Sequence, residues 1–304
     1  MQNKIKLAKI ISKIENEHPD TEKILNDVWH NVGSAYRIGI TGPPGAGKST
    51  LVDKIALQLS KQDLKIAIVS VDPSSPFGGG ALLGDRIRMN ELSLNPNIFI
   101  RSLATRGSLG GLSIKTQDIC DVIDSFGYDI ILIETVGVGQ IELDIVDAAD
   151  ITAVVLVPES GDDIQSMKSG LMEIGNIFII NKSDRDGANS LENNINSMLQ
   201  LKKQYRNNIG HDIPVVKTVA TKNKNIDLVL NHILEFKKIL KQNNDWYLAR
   251  KNRIKNKINE LITSHLLKNF WDDERKLIIQ EHLKKSNYTE NTPHQIFHKL
   301  LNVK

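Results

Sequence analysis

The chain has 304 residues with a formal net charge of +3, and 40% of them are hydrophobic, which is enough to build one large α/β core with extensions. So small a charge gives no support for a nucleic-acid-binding surface, and the single cysteine, Cys120, excludes an internal disulfide. The apolar runs at 130–133 and 154–157 are far shorter than the ~20 residues of a membrane helix. We therefore expect a cytoplasmic protein that binds neither nucleic acid nor a membrane, in which Cys120 is a small buried core residue.

Residues 1–35 are predicted to form an N-terminal helical extension. Apolar residues recur at helical spacing between Leu7 and Ile14, and a second helix is expected to begin just after Pro19. Lysines and glutamates are mixed at the N-terminus and no small-residue cleavage site follows them, so we expect neither a secretory signal nor a transit peptide.

A repeated pattern of strand, loop and helix begins at Tyr36 and continues to residue 240. Because the loop after its first strand has the phosphate-binding pattern G-x-x-x-x-G-K-[ST] at 42–49, we predict a nucleotide-binding domain of the P-loop NTPase fold over 36–240. The predicted strands are 36–40, 65–71, 98–101, 129–134, 151–157, 177–181 and 214–218. The alternation indicates an α/β fold with a doubly wound, mostly parallel sheet flanked by helices. Such sheets bind ligands beyond the carboxyl ends of their strands, which is where the polar motifs fall.

The loop after the first predicted strand, residues 42–49, matches G-x-x-x-x-G-K-[ST] and is hereafter the phosphate loop. The predicted nucleotide-binding residues here are Gly42, Pro43, Pro44, Gly45, Ala46, Gly47, Lys48, Ser49 and Thr50. Glycines allow backbone N–H groups to surround a β-phosphate, Lys48 bridges β- and γ-oxygens as a catalytic point charge, and the Ser49 hydroxyl is a magnesium ligand. The apolar periodicity that follows predicts a helix, whose N-terminus favours phosphate.

A long segment rich in Gly and Pro, residues 72–86, follows the second predicted strand and is predicted to be a switch loop. Asp72 is a candidate to orient the attacking water or to bind the magnesium hydration shell, and Asp85 is a second candidate carboxylate on the metal side. Arg86 and Arg88 are candidates to neutralise phosphate charge. The alternative is that Asp85 caps a helix and the arginines lie on the surface.

Two further loops follow predicted strands. Glu134-Thr135-Val136-Gly137 stands where GTPases have D-x-x-G, so Gly137 is expected to offer its N–H to the γ-phosphate and Glu134 to hold magnesium through a water. Glutamate is one methylene longer than the usual aspartate, which leaves direct metal ligation open, and a structural turn is the alternative. Residues 158–168 are either a nucleotide-sensing segment or an ordinary helix start.

Asn181, Lys182 and Asp184 follow a further apolar strand and have the form N-K-x-D. A carboxylate at Asp184 can accept two hydrogen bonds from guanine N1–H and the 2-amino group, a donor pair that adenine lacks. Asn181 is expected to brace the neighbouring loops and Lys182 to lie over the base. The motif therefore predicts GTP rather than ATP, with a chance surface turn as the alternative.

Residues 241–304 contain 13 Lys or Arg against 7 Asp or Glu and no strand signal. Apolar residues recur at helical spacing from Ile254 to Leu266, a second helix is expected over 277–283, and Pro293 is expected to begin a last one. The apolar face of this appendage must be buried against its own nucleotide domain or a second chain. We favour a homodimerisation arm, with a solvated basic face rather than an RNA-binding patch.

The motifs together closely resemble the MeaB/ArgK family of P-loop GTPases over nearly the whole chain. The most specific stretches are E-T-V-G-V-G-Q from Glu134 and D-P-S-S-P-x-x-G-G-x-x-L-G-D-R from Asp72. The resemblance implies a slow, homodimeric GTPase that uses Mg2+ with GTP and has no tightly bound organic cofactor. It also implies a partner, an adenosylcobalamin-dependent acyl-CoA mutase, usually methylmalonyl-CoA mutase, whose cofactor loading it gates and which it protects. By the same resemblance Asp162 and Lys168 lie in a loop that moves with nucleotide and partner state.

One stretch departs from the family pattern. Where the family has T-S-A, this chain has Thr218-Val219-Ala220-Thr221. Val219, Ala220 and Thr221 are still expected to bind the nucleotide, with the backbone N–H of Ala220 or Thr221 on guanine O6. Loss of the serine leaves the side-chain support of this loop in question.

Two other functions compete with a regulatory GTPase. A nickel metallochaperone GTPase calls for clusters of Cys or His, whereas this chain has one Cys and 8 scattered His. An ATP-dependent P-loop kinase or transport-associated ATPase is disfavoured by the guanine motif at 181–184.

Overall fold

The computed structural model describes residues 2–72, 90–104, 111–135, 141–161, 170–205, 212–284 and 291–303. Contacts divide the chain into two units, Met1–Arg250 and Lys251–Lys304. The first unit carries every predicted nucleotide motif.

Among the described residues, seven strands form a single parallel sheet. They are β1 Tyr36–Thr41, β2 Ile66–Asp72, β3 Ile98–Ala104, β4 Ile130–Thr135, β5 Ile151–Leu156, β6 Ile177–Ile180 and β7 Val215–Lys217. Their order across the sheet is β3-β2-β4-β1-β5-β6-β7, with parallel pairing throughout. Strands β2, β3 and β4 lie on one side of β1, and β5, β6 and β7 lie on the other. The strand order therefore reverses next to β1, which is the position where a doubly wound sheet binds its ligand.

Helices connect the strands and continue to the end of the chain. Those of the described residues are α1 Gln2–Glu15, α2 Thr21–Val28, α3 Lys48–Ser60, α4 Asn90–Ser93, α5 Gly111–Ser125, α6 Ile141–Ala148, α7 Leu171–Ile174, α8 Ala188–Tyr205, α9 Ile226–Gln242, α10 Asp245–Phe270, α11 Asp273–Lys284 and α12 Pro293–Leu301. Short 3-10 turns lie at Trp29–Asn31, Pro158–Gly161 and Ala220–Lys222. The predicted α/β fold with a doubly wound parallel sheet and a helical C-terminus is confirmed.

Both faces of the sheet are buried, because successive side chains of a strand point to opposite faces. On β2, Ile66 and Ile68 pack in the core that contains α3 and α9, whereas Ala67 and Val69 pack in the core that contains α1, α5 and α6. A third cluster joins β5 and β6 to α8. Cys120, on α5, is fully buried, as predicted.

Buried charges fix the start of β1. The Arg37 guanidinium, 3% exposed, lies 2.6 Å from the Asp121 carboxylate of α5. Asp124 on the same helix accepts hydrogen bonds from the backbone N–H groups of residues 33–35, and Arg250 donates to the carbonyl of Ala35 at 2.6 Å. Since a buried charge must be paired, this network ties the strand that leads to the phosphate loop to α5.

The second unit holds α11 and α12 and the later part of α10. Arg275 links the two short helices, since its guanidinium donates to the carbonyl oxygens of Leu300 and Val303 at 3.1 and 2.6 Å. Thr292 and Gln295 form a capping box that begins α12. Many large apolar side chains remain exposed here, including Ile258, Leu261 and Leu266 at 50%, 50% and 62%. The apolar residues that recur at helical spacing in residues 254–266 therefore lie on a helix, α10, and are exposed.

Candidate functional site

The loop between β1 and α3 has the backbone conformation that its glycines were expected to provide. Gly42, Gly45 and Gly47 all have positive φ, +137°, +74° and +85°. A Cβ at Gly42 would overlap the carbonyl oxygen of Val155 on the neighbouring strand, and one at Gly47 would overlap the side-chain amide of Asn181. The turn and the close approach both require glycine at positions 42 and 47.

Lys48 begins α3 and is only 6% exposed. Its ammonium group donates hydrogen bonds to the carbonyl oxygens of Gly42 and Pro43, at 2.7 and 2.9 Å. The Lys48 ammonium group is thus held beside the first residues of the phosphate loop. In this position it is close to any anion that the loop's N–H groups would surround.

Ser49 and Glu134 connect the phosphate loop to the end of β4. The Ser49 hydroxyl donates a hydrogen bond of 2.6 Å to Oε1 of Glu134, which is 5% exposed. A hydroxyl that donates its proton in this way still has lone pairs for a cation. Hydroxyl and carboxylate oxygens are the ligands that Mg2+ prefers, so the donor set fits the predicted metal.

A hydrogen bond between two hydroxyl groups joins the ends of β1 and β4 on the opposite face of the sheet. Thr135, at the end of β4, donates to the hydroxyl of Thr41, at the end of β1, at 3.0 Å. Both side chains are buried, at 2% and 0% exposure. The strand end that leads into residues 136–140 is therefore fixed directly to the start of the phosphate loop.

Asn181 follows β6 and connects three loops, as the sequence predicts for a bracing residue. Its amide nitrogen donates to the carbonyl of Ala46 at 2.9 Å, and its oxygen accepts from the Thr218 hydroxyl and the Ala220 N–H at 3.2 and 3.1 Å. The residue is 3% exposed. Lys182 adds a further bond, from its ammonium to the carbonyl of Gly45 at 2.8 Å. The N-K-x-D loop and the phosphate loop thus form one assembly.

Asp184 lies on the exposed side of this assembly and is paired with a cation that the motif does not contain. The ammonium group of Lys222 lies 2.8 Å from Asp184 Oδ2. The hydrogen bond and the positive charge hold the pKa of the Asp184 carboxyl below its usual range. The carboxylate is therefore ionised at neutral pH, the state in which it can accept two hydrogen bonds from a ligand.

The loop after β7 is supported without the serine of the family pattern. Thr218, fully buried, donates its hydroxyl to Asn181, and the Asn225 amide donates to the carbonyl of Lys217 at 2.8 Å. Val219 and Lys224 form an antiparallel bridge across the turn. Asn223 and Asn225 have φ of +53° and +59°, a conformation that asparagine tolerates better than most residues.

The structure brings most of the predicted site residues to one edge of the sheet. The phosphate loop, Glu134, Asn181, Lys182 and Ala220 are joined by the contacts above. Pro44, Gly45 and Thr221 are exposed, and Val219 is buried. Asp85, Gly137, Asp162 and Lys168 lie outside the described residues, as does the side chain of Asp72, whose backbone ends β2. Their predicted roles stay predictions.

Sequence reasoning missed Lys222 and Thr218 as parts of the site. Lys222 is 38 residues from Asp184, so only the fold brings the two together. Thr218 ends the predicted strand 214–218 beside a nucleotide motif, and that position is the signal that could have identified it.

The part of the chain that the structure describes shows neither a cluster of metal-binding side chains nor a membrane-spanning helix. No cluster of three or more His, Cys, Asp or Glu side chains is placed to hold a metal ion there. None of its helices combines the length and the apolar character needed to cross a bilayer.

Comparisons with known proteins agree with this geometry. The sequence model of a family described as "Methylmalonyl Co-A mutase-associated GTPase MeaB" matches residues 7–275. A Pyrococcus abyssi protein whose name describes it as a candidate GTPase is 46% identical over 256 residues, 84% of this chain and 79% of that protein. The Escherichia coli protein named GTPase ArgK is 39% identical over 184 residues, 59% of this chain and 56% of its own length.

A solved structure shows the same fold. The crystal structure of a protein titled LAO/AO transport system kinase superimposes with a TM-score of 0.72, covers 97% of this chain and 91% of its own, and is 23% identical in sequence. At that identity the likeness concerns the fold alone.

Proposed function

The chain belongs to the MeaB family of methylmalonyl-CoA mutase-associated GTPases, and from that premise we propose that it hydrolyses GTP in order to regulate an adenosylcobalamin-dependent acyl-CoA mutase. The GTPase activity itself follows from membership and from the relatives named as GTPases. The mutase as partner, the gating of cofactor loading and the protection of the mutase are the proposal. The family's own description, which names a mutase, supports it.

The observation that carries the nucleotide assignment is the bridge made by Asn181. Its side chain holds the carbonyl of Ala46 in the phosphate loop and the N–H of Ala220 in residues 218–221, the base loop, which is predicted to contact the guanine base. The two loops that would contact the phosphates and the base are therefore positioned relative to each other before any ligand binds. Such preorganisation lowers the ordering cost of binding.

We assign the site residues as follows. Lys48 neutralises the β- and γ-phosphates, Ser49 and Glu134 hold magnesium, and Asp184 accepts from the guanine edge. Magnesium, when bound, neutralises the charge that develops on the phosphate oxygens. The described contacts around the phosphate loop orient groups and place charge, which is how phosphoryl transfer is chiefly catalysed. We propose slow hydrolysis by the protein alone and faster hydrolysis with the partner.

We also propose that residues 241–304 form a homodimerisation arm. Ile258, Leu261 and Leu266 present an exposed apolar stripe on α10, and a second chain would cover it. Light scattering should give twice the chain mass for the wild type and the single mass for Ile258→Asp. Asn256→Asp introduces the same charge at another exposed position of α10 and should leave the dimer intact. A wild type of single mass would exclude the arm as a dimer contact.

The partner is tested with the purified chain and a purified adenosylcobalamin-dependent acyl-CoA mutase from the same host. Gel filtration should show a complex whose stability differs between a non-hydrolysable GTP analogue and GDP, and the mutase should raise the hydrolysis rate. Lys48→Ala should remove the nucleotide dependence. If the two proteins neither associate nor change the rate under any nucleotide condition, the mutase role is wrong, while the GTPase assignment stands.

A further inference from the structure

Ser70 is a polar residue of β2 that lies beside Glu134. The two residues are Cα partners in the parallel pairing of β2 with β4. In-register residues of neighbouring parallel strands point to the same face, and Ser70 shares its face with Ile66 and Ile68, which pack in the core that contains α3. Ser70 and Glu134 therefore stand side by side near the carboxyl ends of their strands, on the face from which Ser49 reaches Glu134.

The Ser70 hydroxyl is a buried polar group of β2. The residue is 8% exposed, and among the described residues its Oγ is buried without a hydrogen bond. Glu134, its neighbour, already accepts from Ser49 at 2.6 Å. Buried hydroxyl groups in native proteins are nearly always hydrogen-bonded, and an exception needs a specific explanation. Valine or alanine would fill this strand position without leaving a polar atom unsatisfied.

We propose that Ser70 is a positioning residue of the magnesium site, whose hydroxyl holds a water of the metal's hydration shell beside Glu134. This inference rests on the proposed nucleotide and magnesium site. Mg2+ in phosphate-binding sites keeps several of its waters, and each such water needs an oxygen to accept its hydrogens. A hydroxyl that is unsatisfied without metal and satisfied with it favours the metal-bound state.

The Ser70→Ala variant separates this role from a structural one. Because the hydroxyl makes no hydrogen bond to any residue that the structure describes, its removal should leave the melting temperature of the nucleotide-free protein unchanged or slightly raised. Titration of Mg2+ against a fluorescent GDP analogue should show that about 10-fold more Mg2+ is needed for half-maximal tight binding, as for other outer ligands of metal sites. Nucleotide affinity in EDTA should stay at the wild-type value. Ser70→Thr keeps the hydroxyl and should restore the magnesium dependence.

Thr116→Val is the matched control. Thr116 is 4% exposed, and its hydroxyl is likewise buried without a hydrogen bond to any of the described residues, but it lies on α5, whose core is on the other face of the sheet. Its removal should leave the magnesium dependence at the wild-type value.

The magnesium titrations separate the role of Ser70 from the proposed nucleotide site. If Ser70→Ala and the wild type need the same Mg2+ concentration, the role of Ser70 is wrong while the nucleotide site stands. If the wild type binds no guanine nucleotide, the proposed site and the role of Ser70 are both overturned. If it binds the nucleotide equally with and without Mg2+, the magnesium roles of Ser49, Glu134 and Ser70 are overturned while the nucleotide site stands.

Discussion

Ser49 donates its hydroxyl hydrogen to Oε1 of Glu134 across 2.6 Å. The bond joins the first turn of α3 to the end of β4, so the residue after the phosphate-loop lysine and the carboxylate that replaces the usual aspartate are already in contact. The extra methylene of glutamate is thus used to reach the serine. Because the serine oxygen keeps its lone pairs, the same arrangement can accept a magnesium ion without rebuilding.

The first prediction concerns the charge of Glu134. Glu134→Gln keeps an oxygen that can accept from Ser49 but removes the negative charge. We expect GTP hydrolysis and apparent magnesium affinity to fall by about 10- to 100-fold, with nucleotide affinity in EDTA unchanged, measured by phosphate release across a magnesium series. Glu235→Gln, which changes an exposed carboxylate of α9, should behave as wild type. Equal magnesium dependence in Glu134→Gln and wild type would remove the metal role of this residue.

The second prediction concerns Lys48. Lys48→Ala removes the buried ammonium that bonds to Gly42 and Pro43 and should reduce hydrolysis by about 100-fold or more, the typical loss for a group that stabilises transition-state charge. Circular dichroism should show an intact fold. Lys54→Ala, on the same helix, should hydrolyse GTP normally. Retained activity in Lys48→Ala would mean that the anion is held elsewhere.

The third prediction concerns Asn181 as a brace. Asn181→Ala leaves the Ala46 carbonyl and the Ala220 N–H without their partner in a buried region. We expect the free energy of unfolding to fall by about 2 to 4 kcal/mol, measured by urea denaturation of the nucleotide-free protein. Asp184→Asn changes an exposed residue of the same motif and should leave stability nearly unchanged. Comparable stability of the two variants would contradict the bracing role.

The fourth prediction concerns pH and the Lys222–Asp184 pair. The hydrogen bond from Lys222 lowers the pKa of Asp184 from its ordinary value of 3.8. A lowered folded-state pKa contributes stability above the unfolded-state value, and that contribution disappears as the pH falls through the folded-state pKa. Lys222→Ala removes the hydrogen bond and the positive charge that lower this pKa, so the Asp184 pKa should rise toward 3.8. Carboxyl NMR titration measures the change, and Lys224→Ala is the control. An unshifted titration in Lys222→Ala would show that the pair does not form in solution.

The sheet was predictable because its strands are short apolar runs bounded by polar loops, a local pattern. The order of the strands across the sheet could not be predicted in this way, because it depends on the face of the sheet over which each connecting helix crosses. The phosphate loop and Asn181 were predictable for a different reason: their chemistry is concentrated in a few consecutive residues.

The hydrogen bonds that support the base loop, residues 218–221, could not be predicted from the sequence and became evident only in the folded structure. Thr218 and Asn225 act through single hydrogen bonds to Asn181 and to the Lys217 carbonyl, and neither bond has a periodic signature. Ser70 was hidden for the same reason, because a serine inside an apolar strand gains meaning only from the residue beside it on the next strand. That neighbour is Glu134.

The central claim is that this edge of the sheet binds a guanine nucleotide with Asp184 reading the base, and calorimetric titration tests it most directly. Wild type should bind GDP with magnesium at one site, at least about 100-fold more tightly than ADP, a ratio within reach of a site that hydrogen-bonds its ligand. Asp184→Asn should lose GDP affinity and gain affinity for xanthosine diphosphate. Equal affinity of wild type for GDP and ADP, or a base preference unchanged in Asp184→Asn, would contradict the account.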